Sequence, residues 1–141
     1  MAGETTTDLV TTATPLYVSK SVGQVVAQPH TVEVRTTDLA TNDITGICKV
    51  PKGATVIGFI LQTDDLDTDG SVALVWSILI GTTVFVAGIA NDTAKAGTFA
   101  VGSSGHVTVT ADTVVSLKAT TAAATAAAGT VNLTPLYITS E

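Results

Sequence analysis

Asp65, Asp67 and Asp69 stand at alternate positions with Gly70 directly after them, and no other grouping in this chain has ligand-like types and spacing. Alternate carboxylates followed by a glycine turn begin a calcium loop, in which hard oxygen donors surround a hard cation. The bidentate glutamate that closes such a loop would fall on Trp76. Flanking helical patterns are missing as well. An incomplete oxygen set binds weakly, so the competing reading is an acidic turn between two buried strands, kept in water by its charges. On that reading no metal is bound and the turn is only a weak candidate site.

The remaining reactive residues are scattered. His30 follows Pro29 in a turn, and His106 follows the flexible run Gly102-Ser103-Ser104-Gly105. Neither histidine has a Cys or Asp partner at metal-ligand spacing. Ser103 and Ser104 beside His106 supply the types of a nucleophile and a base. There is no G-x-S-x-G elbow, however, and adjacency in sequence is not the geometry of a triad. The glycine-rich run also lacks the lysine and following helix of a phosphate loop. Cys48 is the only cysteine, which forbids an internal disulfide, and its apolar surroundings mark it as a small core residue. Phe59, Trp76 and Phe85 fall in apolar runs, where packing is their ordinary role. No catalytic residue and no cofactor site follows from these residues, so an enzyme is not expected.

Composition says what must position these groups. The chain has 141 residues, enough for one domain with a real hydrophobic core. Apolar residues make up 45% and charged residues 13%, against a usual charged share of about 25%. So few charges leave little to solvate a large free surface, which favours a chain packed against other chains. Threonine is about one residue in five, and Thr and Val both favour pleated sheet. The formal net charge of −6 argues against nucleic acid as a partner, because phosphate recognition needs a basic face.

Residues 1–14 are Thr-rich and polar and read as a flexible arm; Ala2, Thr5, Asp8 and Thr12 are its candidate partner-binding residues. Residues 15–141 read as the folded domain. Strands are expected over Pro15–Lys20, Val22–Gln28, Thr31–Arg35, Ile44–Val50 and Ala54–Thr63. Ser71–Ala90 is uncharged and long enough to span a bilayer, but Gly81-Thr82-Thr83 interrupts it and no Lys or Arg flanks it. Two buried strands joined by a tight turn explain it better, so no membrane is expected as a partner. Asn91–Gly97 is either one helical turn or a loop. His106–Thr110, Val114–Lys118 and Thr130–Thr139 complete the set, with the Ala-rich run 120–128 as a surface connector. About eight or nine short strands with regular turn signals give an all-β single-domain sandwich of jelly-roll type. The opening residues MAGETTTDLV contain neither part of a signal peptide.

Thr14-Pro15-Leu16-Tyr17-Val18-Ser19 recurs as Thr134-Pro135-Leu136-Tyr137-Ile138-Thr139. Proline in a strand is tolerated at an edge, a bulge or a first residue, so the echo reads as two equivalent edge strands or as chance in a Thr-rich chain. In a jelly roll the first and last strands lie side by side.

The order of these segments resembles the small cement, or decoration, proteins of tailed-phage heads. The likeness is carried by Pro51-Lys52-Gly53-Ala54-Thr55-Val56-Ile57 leading to Thr63-Asp64-Asp65-Leu66-Asp67, then Ala73–Ile80, Asn91–Thr98 and Ala128-Gly129-Thr130-Val131, and it spans roughly residues 45–141. It implies a jelly roll and no cofactor. It also implies a place on the outside of the virion capsid, after synthesis in the host cytoplasm. The implied partners are the major capsid protein and further copies of the chain, with a dimer preferred over a trimer because two-fold closure is commonest. The rival reading is an all-β adhesin, a fibre or a calcium-dependent binding module.

Overall fold

A computed structural model describes residues 4–6, 24–91, 95–100 and 105–139. Eleven strands are present among them: β1 (Glu4–Thr6), β2 (Val25–Ala27), β3 (His30–Val34), β4 (Ile44–Val50), β5 (Thr55–Thr63), β6 (Val75–Ile80), β7 (Thr83–Ala90), β8 (Lys95–Ala100), β9 (Val107–Thr108), β10 (Thr113–Thr121) and β11 (Gly129–Ile138). One short 3₁₀ turn, Thr36–Asp38, interrupts the pattern.

The pairings nest. β2 and β3 pair with β11, β4 with β10, β5 with β8 and β9, and β6 with β7, all antiparallel. Apart from β1, the outermost strands meet each other, and each later strand meets the next one in from the far end. A long hairpin wrapped around a core has this connectivity, which is that of a jelly roll. One sheet runs β1-β4-β10-β6-β7; the other runs β2/β3-β11-β5-β8/β9.

Period-2 patterning decides the packing. Along β11, Val131, Leu133, Pro135 and Tyr137 are buried while the residues between them are half-buried. Opposite them, Ile47, Trp76, Ile78, Phe85, Val115 and Leu117 are almost wholly buried. Phe59 of β5 meets Phe85 of β7 edge to face, with ring centroids 5.2 Å apart and planes at 82°. That contact ties the two sheets together in a favoured aromatic geometry. Cys48 is buried in this core as expected, and burial pushes its thiol up to about 12.

The run Ser71–Ala90 is two strands joined at Gly81-Thr82. Gly81 has φ of 63°, a left-handed conformation that glycine adopts without strain. No helix among the described residues is long and apolar enough to cross a membrane.

Two expectations are corrected. Lys95–Ala100 is a strand rather than a helical turn or loop: the ladder along β5, from Phe59↔Ala100 to Thr63↔Lys95, overrides the weak local signal. β11 is an interior strand although it contains Pro135. Its edge neighbour pairs at Leu133↔His30 and again at Leu136↔Ala27, so Pro135 faces the break at Gln28-Pro29, where no N–H is needed. The strands beside β11 on that side are thus β2 and β3, and Pro15–Lys20 lies outside the described residues. Within the Thr-rich N-terminal stretch, Glu4–Thr6 pairs in parallel with Ile44–Gly46.

Candidate functional site

The acidic turn is built as an internal clasp. Asp67 is only 1% exposed. Its Oδ2 accepts the backbone N–H groups of Ala73 (2.8 Å), Leu74 (3.0 Å) and Ala124 (2.9 Å). Its Oδ1 accepts Thr125 N–H at 2.9 Å and Asp69 N–H at 3.5 Å. The carboxylate therefore stitches the β5–β6 loop to the β10–β11 connector, where Ala126 also bridges to Asp67. Desolvation alone would raise its pKa, but four backbone donors outweigh it and hold the group far below the usual carboxylate range. The acidic turn is thus not kept in water by its charges, because its central residue is buried.

The flanking acids do similar work. Asp64 Oδ2 accepts Thr130 N–H (2.8 Å) and Thr130 Oγ1–H (2.6 Å), and these bonds lower its pKa. Gly129 is required beside it: a Cβ there would lie 2.9 Å from both Asp64 Cβ and Asp64 Oδ2. Asp69 accepts Ser71 N–H at 2.7 Å and Thr125 Oγ1–H at 3.1 Å. Asp65 is exposed. No three His, Cys, Asp or Glu side chains among the described residues gather as metal ligands would.

A second polar knot lies under the same loops. Asn91 is fully buried, and its Oδ1 accepts Trp76 Nε1–H (3.0 Å) and Thr63 Oγ1–H (2.9 Å). Its backbone N–H donates to the Leu74 carbonyl at 3.0 Å. The sequence placed Asn91 as a loop residue or helix cap. Its role as the acceptor for a buried indole was hidden, because the partners are 15 and 28 positions away.

The histidines are not brought together with a nucleophile. His30 is half-buried at the start of β3, where desolvation lowers its pKa, and His106 is exposed. Ser103 and Ser104 lie outside the described residues. So do Ala2, Asp8 and Thr12; of the arm candidates only Thr5 is described, as the middle residue of β1, paired with Thr45.

The outer face of the β1-β4-β10-β6-β7 sheet is open. A shallow groove of about 350 Å³ crosses it, with Ile44, Leu79, Val84, Val114, Ser116 and Lys118 along its walls. Val84 is 49% exposed. The walls are mostly apolar, with Ser116 and Lys118 as polar groups.

No protein-family model matches the chain, and no curated protein matches it. Solved structures do match. A chain in the capsid of Ralstonia phage GP4 superposes with a TM-score of 0.84 at 22% identity, over 99% of this chain and 99% of that one. The fold is one found in phage capsids. A chain of the cyanophage Pam1 capsid asymmetric unit matches with a TM-score of 0.68 at 24% identity, over 90% of this chain and 95% of that one. A third, from the acid-stable capsid of Helicobacter pylori bacteriophage KHP30, matches with a TM-score of 0.57 at 17% identity, over 84% and 94% of the two chains. The capsid fold thus recurs in chains of comparable length.

Proposed function

We propose that this chain is a structural virion protein without enzymatic activity: a cement protein on the outside of a phage head that strengthens contacts between major capsid subunits. The end-to-end fold match to a chain of the Ralstonia phage GP4 capsid carries this reading. The physical features fit it. Charge is sparse, the reactive residues are dispersed, and one sheet face is open and apolar. Repetition over a symmetric shell turns modest individual contacts into strong net attachment.

The partners of this reading are the major capsid protein and further copies of the chain, with a dimer preferred. In this reading the arm residues Ala2, Asp8 and Thr12 reach a neighbouring subunit, while Thr5 pairs with Thr45 of its own β4. The calcium-dependent module has no comparable support, because both Asp67 oxygens are engaged by backbone N–H groups.

The test is co-sedimentation of the purified protein with heads of its own phage assembled without it. Saturable binding at a fixed number of copies per shell, with heads that then resist heat-driven DNA release, is the expected result. No binding to such heads overturns the proposal. Removal of residues 2–14 should weaken binding at least ten-fold; unchanged binding would remove the arm from the interface.

A further inference from the structure

His30 opens β3 directly after Pro29, and its burial follows the strand's period of two. Thr31 and Glu33 are exposed, whereas His30 is half-buried on the side of Val32 and Val34. Its imidazole therefore lies at the rim of the core, and Nε2 is buried with no hydrogen-bond partner among the described residues. A neutral ring tolerates that place at the cost of one unmade bond. A protonated ring does not, because both nitrogens then donate and a charge leaves water without a counter-ion.

The groups around the ring supply no counter-ion. On β3, Glu33 lies on the opposite, exposed face, and beyond the strand Arg35 and Asp38 pair with each other at 3.1 Å. β2 and β5 carry no titratable residue, and β11 carries only Tyr137. β4, which packs on β3 from the other sheet, contributes the buried Cys48 thiol and Lys49, whose register partner Val114 lines the outer groove. β1 contributes Glu4, at the register position of Ile44. Desolvation lowers the His30 pKa, and no charged group acts against it.

The backbone around His30 is built to part. Among the described residues, β2 and β3 are held in their sheet by β11 alone. The ladder lapses at Gln28-Pro29, between Leu136↔Ala27 and Leu133↔His30. Val26 and Val32, the inward residues on either side of that break, are 6% and 9% exposed, the least covered members of the core. We propose that His30 is an acid-operated latch on this edge: the neutral imidazole keeps β2 and β3 on β11, and protonation takes the ring into water and frees Val25–Val34. The sign follows from the direction of the shift. Opening exposes a ring with the ordinary value of about 6.5, above that of the closed state, so the latch is fully closed above about 6.5 and loosens as pH falls below it. The Asp67 clasp gives way only below about 3.9, so the two act in separate pH ranges.

The test is hydrogen–deuterium exchange with mass spectrometry on the full chain at about pH 7.5 and about pH 5.0, with labelling times scaled to equal chemical exchange. Peptides from β2 and β3 report the latch, and peptides from β5 report the rest of the sandwich. Exchange of the edge can rise at most about thirty-fold at the lower pH, the limit for an opened ring titrating at about 6.5. The expected result is a rise of at least about three-fold in β2 and β3 and none in β5. His106→Gln should keep this pattern. His30→Phe, which retains a ring without the charge, should abolish it, and so should His30→Gln, a polar and uncharged second variant should Phe fail to fold. A rise that persists in both His30 variants, that is lost in His106→Gln, or that is equal in β5 overturns the latch. So does an unchanged edge in the wild type, because the ring then reaches water without moving the strands.

Discussion

Asp67→Asn replaces one carboxylate oxygen with an amide of the same size and so isolates the work of the charge. Three N–H groups converge on Oδ2 and Thr125 N–H reaches Oδ1. Whichever way the new amide turns, its NH₂ faces at least one backbone donor. In the better orientation the carbonyl keeps the three donors, and each bond falls from charge-assisted to neutral strength, a loss of about 1 kcal/mol apiece. The fourth donor is left without an acceptor, at a further cost of about 1–2 kcal/mol. The sum is about 4 kcal/mol, which for a domain of this size lowers Tm by about 13 °C. Thermal and urea melts followed by circular dichroism measure it. Asp65→Asn, on an exposed residue of the same turn, is the control and should change stability by less than about 0.5 kcal/mol. The pH dependence has a fixed sign. Asp67 is depressed in the folded state, so its contribution is complete above the unfolded value of about 3.9 and drains away as pH falls below it toward the lower folded value. The gap between wild type and Asp67→Asn should narrow steadily from pH 5 to pH 2. A loss under about 1 kcal/mol at pH 7, or a gap that does not narrow in acid, refutes the clasp.

Three further outcomes follow from the same contacts. Asn91→Ala strands the Trp76 indole N–H and the Thr63 hydroxyl, at a cost of about 3 kcal/mol in urea unfolding, with a shift in Trp76 emission. Gly129→Ala drives a Cβ to within 2.9 Å of Asp64 and should cost about 2 kcal/mol, read as a lowered Tm. Cys48, buried with its thiol pushed up to about 12, should react with a water-soluble disulfide reagent at pH 8 only as fast as the protein unfolds; reaction in the folded state would contradict the burial.

Most of the sandwich was legible because its strands carry their own signal. Val131-Asn132-Leu133 alternates, Ser71–Ala90 is too interrupted to be one span, and turns fall at Gly53, Gly81 and Asn42. What was not legible depends on residues far apart in sequence. Lys95–Ala100 becomes a strand only because β5 offers it a ladder. Pro135 sits mid-sheet only because the neighbouring edge breaks opposite it. The Asp65-x-Asp67-x-Asp69 spacing was visible, but the partners that decide Asp67's role are Ala124 and Thr125, 57 and 58 positions onward in a run that reads as plain low complexity.

The acidic balance of the chain takes on a different meaning once those partners are known. Seven aspartates fall among the described residues, and six of them accept a hydrogen bond from a backbone N–H: Asp38 from Arg35, Asp43 from Ala40, Asp64 from Thr130, Asp67 from four donors at 3.0 Å or less, Asp69 from Ser71, and Asp112 from Lys52. Loops at the ends of a jelly roll leave N–H groups that no ladder can satisfy, and a carboxylate is the strongest acceptor available for them. The negative charge is thereby concentrated in the end loops and kept off β6 and β7. The aspartates of the described residues thus serve to close the ends of the sandwich.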